Sequence, residues 1–367
     1  MNTQIQDKFT FKNGQTMRNR VVLAPMTICA SEPGGYVSQA DIDFFARRSR
    51  SVGMVITGST YVHPLGKSFA ESFSGAEDDK IEGLSRLAKA IKDQGALAIV
   101  QLYHGGRMVL PDLIDGQPVA PSAVKAPRDY LAEPRALKNA EVEQVIEDFL
   151  SAIRRAIQAG FDGVELHGAN TYLIQQFVSP HSNVRQDKWG GSLNNRLRFP
   201  KTLLKRAKQL VKEEADRPFL IGYRFSPEEI EEPGIQLYDT LQLLEQLIYH
   251  QVDYLHISTS DVWRSSIRDS QDSEPVIQKI IRKINDRVPL IGVGQIETKQ
   301  DAQRVLDAGI PLFALGKALL LDPDWAEKVV SGREAEVIRA YRDELQADLA
   351  LPTAFVEDAR SYLEGKD

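Results

Sequence analysis

Phe161-Asp162-Gly163-Val164-Glu165-Leu166-His167-Gly168-Ala169-Asn170-Thr171-Tyr172-Leu173 is the stretch on which the fold turns. It opens as a short apolar run, Phe161, Val164 and Leu166, with a helical pattern before it and a polar cluster after it. Such a run reads as a buried strand, and His167 then falls at its C-terminal end. In a β/α barrel that end carries the chemistry. His167 and Asn170, three apart and read as one turn of helix, can aim a ring nitrogen and an amide at one point, where both donate to a single oxygen. That oxygen would be a carbonyl or phenolate. A lone histidine at a strand end is more often structural; the order His167, Asn170, Tyr172 favours the chemical reading.

Similar strand-like runs recur along the chain: Val21 to Ala24, Met54 to Thr57, Ala96 to Leu102, Gly163 to Leu166, Phe219 to Arg224, Tyr254 to Ile257, Leu290 to Val293 and Leu312 to Leu315. Between them lie amphipathic stretches such as Asp78 to Gln94, Ala140 to Ala159, Arg196 to Glu214 and Leu237 to Gln251, apolar at every third and fourth residue. This alternation implies parallel strands joined by crossover helices. Eight such units suit a closed barrel, although a doubly wound open sheet would also alternate. Phe9 to Thr16 reads as a hairpin turning at Asn13-Gly14, a pair suited to a type I′ turn, and would cap the barrel's N-terminal end. The Pro-rich interval from Leu110 to Pro134 is too long for an ordinary connection and reads as an excursion over the active-site face. From Asp324 onward, helical patterns including Glu334 to Asp348 extend the chain and offer a surface for a partner or a homo-oligomer.

A chain of 367 residues is within the range of a single β/α barrel. With 45 basic and 51 acidic side chains the net charge is −6, which favours neither nucleic acid nor an anionic membrane. No apolar run is long enough to span a bilayer, and the N-terminus MNTQIQDKF lacks the apolar core of a signal peptide, so the expected location is cytoplasmic. Cys29 is the only cysteine, which excludes an internal disulfide and a cysteine-ligated iron–sulfur cluster. His63, His250 and His256 have no metal-ligand spacing, so no metal is expected. No Gly-x-Gly-x-x-Gly follows a strand, so a separate dinucleotide-binding domain is not expected either.

Five segments occur in order: Ala24-Pro25-Met26-Thr27, Gln101-Leu102-Tyr103-His104-Gly105-Gly106-Arg107, the segment around His167 with Ser179-Pro180 and Arg185 to Gly191, Asn195-Arg196-Leu197-Arg198-Phe199, and Tyr223-Arg224-Phe225-Ser226. Any one could arise by chance; the ordered set is specific. From about Phe9 to about Pro323 the chain resembles the old yellow enzyme family, FMN-dependent ene-reductases and NAD(P)H:flavin oxidoreductases. The resemblance decides for an α/β fold of the (β/α)8 TIM-barrel type, with an N-terminal hairpin cap and a C-terminal helical extension. One FMN-binding domain would span residues 1–367, its barrel core at about 20–323 and its tail at 324–367. Larger relatives carry a four-cysteine cluster and a further flavin domain. This chain has neither the cysteines nor the length, so electrons would reach FMN directly from NADH or NADPH acting as a substrate.

The resemblance also assigns roles. The flavin's pyrimidine edge needs hydrogen bonds, and positive charge near N1 and O2 stabilises the anionic reduced form. Gln101 would pair with the N3/O2 edge and Arg224 would lie beside N1, the plainer reading of Arg224 being a structural ion pair. Thr27, after Pro25 and Met26, would place a hydroxyl near O4/N5, where some relatives have cysteine; Cys29 would pack. The phosphate end needs backbone N–H groups, small residues and a cation, offered by Gly292-Val293-Gly294 and Gly316-Lys317 after strands seven and eight. Many relatives have arginine in place of Lys317, so charge is kept and bidentate geometry lost. Ser59 is a further flavin-contact candidate through its backbone.

The implied reaction is ping-pong: a reduced nicotinamide reduces FMN and leaves, and an activated alkene, quinone or other electrophile takes its place. His167 and Asn170 would bind the carbonyl oxygen of an α,β-unsaturated substrate. Tyr172 would protonate the α-carbon, unless it only packs over the flavin and water supplies the proton. Thr171 stands where many relatives have glycine. His181 and Arg185 read as loop-holding residues, and His104 and Arg107 either border the flavin or fold their loop. Two other functions remain open: a flavin or quinone reductase with incidental alkene activity, and a non-catalytic flavin-binding redox sensor.

Overall fold

A computed structural model describes residues 3–364. Eight parallel strands close into a barrel in sequence order: β1 Val21–Leu23, β2 Met54–Tyr61, β3 Leu97–Tyr103, β4 Gly163–Gly168, β5 Leu220–Phe225, β6 Tyr254–Ile257, β7 Leu290–Val293 and β8 Leu312–Leu315. A crossover helix follows each: α1 Gln39–Ser49, α2 Ile81–Asp93, α3 Asn139–Gln158, α4 Arg198–Glu214, α5 Leu237–Tyr249, α6 Val276–Ile284, α7 Lys299–Asp307 and α8 Lys317–Leu321. The strands agree with the sequence reading within one or two residues, except that β2 runs four residues past Thr57. A register break between Ile56 and Ser59 explains the extension. At the break Gly58 brings its backbone against Met26, whose carbonyl oxygen would lie 2.6 Å from an added Cβ.

Period-two alternation sorts the strand residues into two cores. Val21, Leu23, Val55, Ala98, Val100, Val164, Leu166, Ile221, Tyr223, Leu255 and Phe313 face outward and pack with the helices. Val22, Met54, Ile56, Ile99, Leu220, Tyr254, Ile291, Leu312 and Ala314 fill the lower barrel together with Phe11 and Met17. Those two come from the N-terminal hairpin, which pairs Phe9 with Met17 and Thr10 with Thr16 and so plugs the N-terminal mouth. The expected type I′ turn is not formed. The Gly14 N–H bonds to the Phe11 carbonyl and only Gly14 takes positive φ, at 91°, which makes a three-residue loop with a glycine bulge.

The interval after β3 is an excursion, closed by a short parallel pairing of Val119–Ala120 with Arg135–Ala136. The tail departs from expectation. Residues 334–348 form two short 3-10 turns, Glu334–Glu336 and Asp343–Leu345, instead of a helix. Tyr341 alone is buried in that interval, with Leu349 just beyond it, too sparse an apolar stripe to hold a helix down. The tail is fixed to α1 by backbone carbonyls: Leu349 accepts from Arg48 and Asp348 from Arg47. A terminal helix, Thr353–Glu364, follows. No helix among the described residues is long and apolar enough to cross a membrane.

Candidate active site at the strand ends

Above the apolar layers the inward positions turn polar: Ser59, Gln101, Glu165, His167 and His256 are all buried. The Ser59 hydroxyl donates to Gln101 Oε1 at 3.2 Å, and Gln101 Nε2 donates to Glu165 Oε1 at 2.7 Å. His256 Nδ1 lies 3.0 Å from the other carboxylate oxygen. Burial alone would raise the Glu165 pKa, but His256, Arg224 and Gln101 together pull it below the usual carboxylate value. Burial holds the His256 pKa low despite Glu165. In this bond the His256 Nδ1–H donates and the Glu165 carboxylate accepts. His256 Nε2 and Arg224 Nε are both buried with no protein partner. Buried polar atoms are rarely left unpaired, which makes these two candidates for contact with a polar ligand.

His167, at the end of β4, accepts the Ala169 N–H at Nδ1, 3.3 Å away. Its proton therefore resides on Nε2. Burial first, then the neighbouring Arg224 and His256, holds its pKa well below the ordinary imidazole value, so the ring is a neutral donor. The expected turn of helix between His167 and Asn170 is absent. Asn170 and Thr171 take left-handed φ angles of 55° and 63°, and the next helix begins only at Leu173. Ser226 and Ser258 hold Asn170: its N–H donates to Ser226 Oγ at 3.0 Å, and its Oδ1 accepts from Ser258 Oγ at 2.8 Å. With Oδ1 engaged, the exposed amide presents its NH2 group. The Tyr172 ring stands edge-on to His167, centroids 4.9 Å apart, and to Tyr103 at 5.2 Å. Burial pushes its phenol up to about 12, so it stays protonated at neutral pH.

A β-branched residue at positive φ is strained, and the Thr171 backbone is pinned there: its N–H donates to Gln175 Oε1 and its carbonyl accepts from Gln176 Nε2. Thr171→Gly keeps both bonds and removes the strain. It is expected to stabilise the protein by about 1 kcal/mol, read as a higher unfolding midpoint in denaturant. A lower midpoint would show that the threonine side chain contributes more than the strain costs.

On the opposite side, the Ser59 N–H donates to Thr27 Oγ1 at 3.2 Å, joining the ends of β1 and β2 and leaving the threonine proton free. Pro25 and Met26 lie just past β1, with Met26 Sδ 3.6 Å from where a Cβ on Gly316 would stand. Gly294 has φ of 113° and would place a Cβ 2.7 Å from the Ser260 backbone. At Gly292 an added Cβ would fall 3.2 Å from a Val262 methyl group, a tight contact. Lys317 starts α8, and its ammonium lies 4.7 Å from the Tyr362 ring centroid of the terminal helix. His104 and Arg107 fold their loop: His104 Nδ1 accepts from Gly106, and Arg107 donates to the Val124 and Lys125 carbonyls and contacts His181. Arg185 ties Asp187 to the Pro121 and Leu137 carbonyls. Among the described residues, no group of three or more His, Cys, Asp or Glu gathers as a metal site would.

Sequence reasoning missed Glu165, His256, Ser226 and Ser258. A carboxylate inside an apolar strand was a visible signal for Glu165, as was the imidazole in Tyr254-Leu255-His256-Ile257 for His256; the serines carried none.

The chain spans 37% of the length of an NADH:fumarate oxidoreductase of Klebsiella pneumoniae (strain 342), to which it is 47% identical over 340 residues, 92% of its own length. It is 45% identical over 332 residues to the probable NADH-dependent flavin oxidoreductase YqiG of Bacillus subtilis (strain 168), covering 90% of this chain and 89% of that one. Among solved structures, the old yellow enzyme homologue from Zymomonas mobilis superposes with a TM-score of 0.78 at 26% identity, over 90% of this chain and 93% of that one. Morphinone reductase does so with a TM-score of 0.77 at 27% identity, over 90% of each chain. The sequence profile of the NADH:flavin oxidoreductase / NADH oxidase family matches residues 7–336, and the chain belongs to that family, the old yellow enzymes.

Proposed function

We propose that the chain is an FMN-dependent NAD(P)H oxidoreductase that reduces an electron-poor alkene conjugated to a carbonyl group. The observation that carries this reading is the pair of fixed donors, His167 Nε2–H and the Asn170 amide, beside the unpartnered Nε of Arg224. The residues fit FMN in one observed respect: an orphaned guanidinium nitrogen is available to its pyrimidine edge. Bound FMN supplies hydride transfer between a reduced nicotinamide and an acceptor.

Gln101 has one amide N–H left after bonding Glu165 and would donate it to the ring edge, with Arg224 adding positive charge there. Thr27 would donate its free hydroxyl proton near O4/N5, and Ser59 would offer its backbone. Gly292, Gly294, Gly316 and Lys317 would line the phosphate end, Pro25 and Met26 the ring. His167 and Asn170 would donate to the substrate's carbonyl oxygen, drawing charge from the alkene. The protonated Tyr172 phenol would deliver a proton to the α-carbon.

The relative named for fumarate and a second one, an NADH:acrylate oxidoreductase of Vibrio harveyi 44% identical over 360 residues, are named for alkenes conjugated to a carboxyl group, the acceptor class this donor pair suits. One fact favours a second reading, that of a nicotinamide-oxidising flavin or quinone reductase. The chain spans 37% and 36% of those two relatives, so their alkene chemistry need not belong to the shared part. Steady-state rates with NADH and NADPH on an enone, an unsaturated carboxylate, a quinone and free flavin separate the readings.

The direct test is a titration of the FMN-loaded protein with a para-substituted phenol. A long-wavelength absorption band is expected, from a phenolate held by His167 and Asn170 against the flavin. A yellow protein without the band would remove the donor pair from the reading, and a protein that takes up no FMN would overturn it entirely.

A further inference from the structure

We propose that Glu165 and His256 are positioning residues for the flavin: a buried pair spanning β4 to β6 across β5 that fixes the Gln101 amide, opposes the Arg224 charge and so sets the reduction potential. The proposal rests on the FMN reading of the site. In the barrel register Glu165 stands between Gln101 on β3 and Gly222 on β5, and His256 stands beside Arg224. A bond from β4 to β6 must pass over the intervening strand. On that strand Gly222 leaves room for the Tyr254 ring beside it, which an added Cβ would meet at 2.0 Å. Both side chains of the pair are wholly buried.

Burying such a pair is a poor way to gain stability. Apolar side chains of similar volume generally do as well or better, and the layer just below uses them in Ile99, Leu220 and Ile291. The arrangement does confer orientation. One carboxylate oxygen holds Gln101 and the other holds His256, and Gln101 is further fixed by Ser59, which leaves a single amide N–H to point outward. It also confers a charge of sign opposite to Arg224. A cofactor gains negative charge on reduction; the guanidinium favours that gain and the carboxylate resists it.

Glu165→Gln removes the charge and keeps a polar partner for Gln101, whereas Glu165→Leu removes both. In the FMN-loaded proteins, the midpoint potential is measured by reduction against a reference dye and the FMN dissociation constant by fluorescence. The glutamine variant is expected to show a higher potential with affinity near that of the parent. The leucine variant is expected to show the higher potential together with severalfold weaker binding. If Glu165→Leu does not fold, His256→Leu takes its place, with weaker binding expected and no rise in potential. Parental potentials and affinities in the variants would reduce the pair to packing and overturn the proposal. A parent protein that takes up no FMN would instead overturn the reading of the site on which the proposal rests.

Discussion

Replacing His167 with alanine is expected to lower turnover on an enone by about 10²- to 10³-fold, the usual effect of deleting one preorganised donor to a developing oxyanion. The size follows from how little the ring has to reorganise. Nδ1 already accepts the Ala169 N–H, so Nε2–H is aimed before substrate arrives, and the ring is buried where a hydrogen bond to growing charge is strong. Burial, with Arg224 and His256 nearby, holds its pKa well below the ordinary value. The imidazole therefore takes up no proton between pH 6 and 8, and the turnover profile of the parent should have no inflection near the free-histidine value of about 6.5. His167→Asn, which retains an N–H donor on a shorter arm, should recover part of the loss. Enone turnover in His167→Ala within twofold of the parent would remove His167 from the reaction.

The fold was legible because each barrel strand is a short apolar run set off by turn residues, and because the helices between them keep an apolar stripe. The end of β2 was hidden by a bulge at Gly58 that no periodicity reveals. The tail was misread because a helical composition near Glu334 lacks the buried stripe that would fix it as a helix. In the site, His167, Asn170 and Tyr172 could be found because they are neighbours in the chain. Their geometry could not: two successive left-handed residues, Asn170 and Thr171, replace the assumed turn of helix. Glu165 and His256 meet through a register that spans a whole intervening strand, and Ser258 reaches Asn170 from a different loop. Contacts of that kind depend on barrel closure, which local sequence does not encode.

Replacing Arg224 with methionine is expected to weaken FMN binding by about 2–5 kcal/mol, the range for truncating one partner of a buried charged contact. That is roughly a 30- to 4,000-fold rise in the dissociation constant. Arg224 is half-buried, its Nε is buried with no protein partner, and the charge it faces within the barrel is Glu165. Its loss also alters the protein without cofactor, because Glu165 then keeps His256, Gln101 and the nearby Tyr254 hydroxyl, none of them a fixed cation, against the cost of burial. In the parent, the Glu165 pKa lies below its ordinary value. A carboxylate of that kind contributes stability above its unfolded pKa of about 4.3, and the contribution fades as pH falls through the folded value. Without Arg224 the folded pKa moves upward, and the contribution shrinks or reverses. The stability deficit of Arg224→Met against the parent should therefore be widest near neutral pH and should narrow toward about pH 4, where the stranded carboxyl takes up a proton. Thermal unfolding of both cofactor-free proteins from pH 4 to 8 measures that gap. A deficit constant across the range would mean that Arg224 and Glu165 are not coupled, and unchanged FMN affinity would place the cofactor's pyrimidine edge elsewhere.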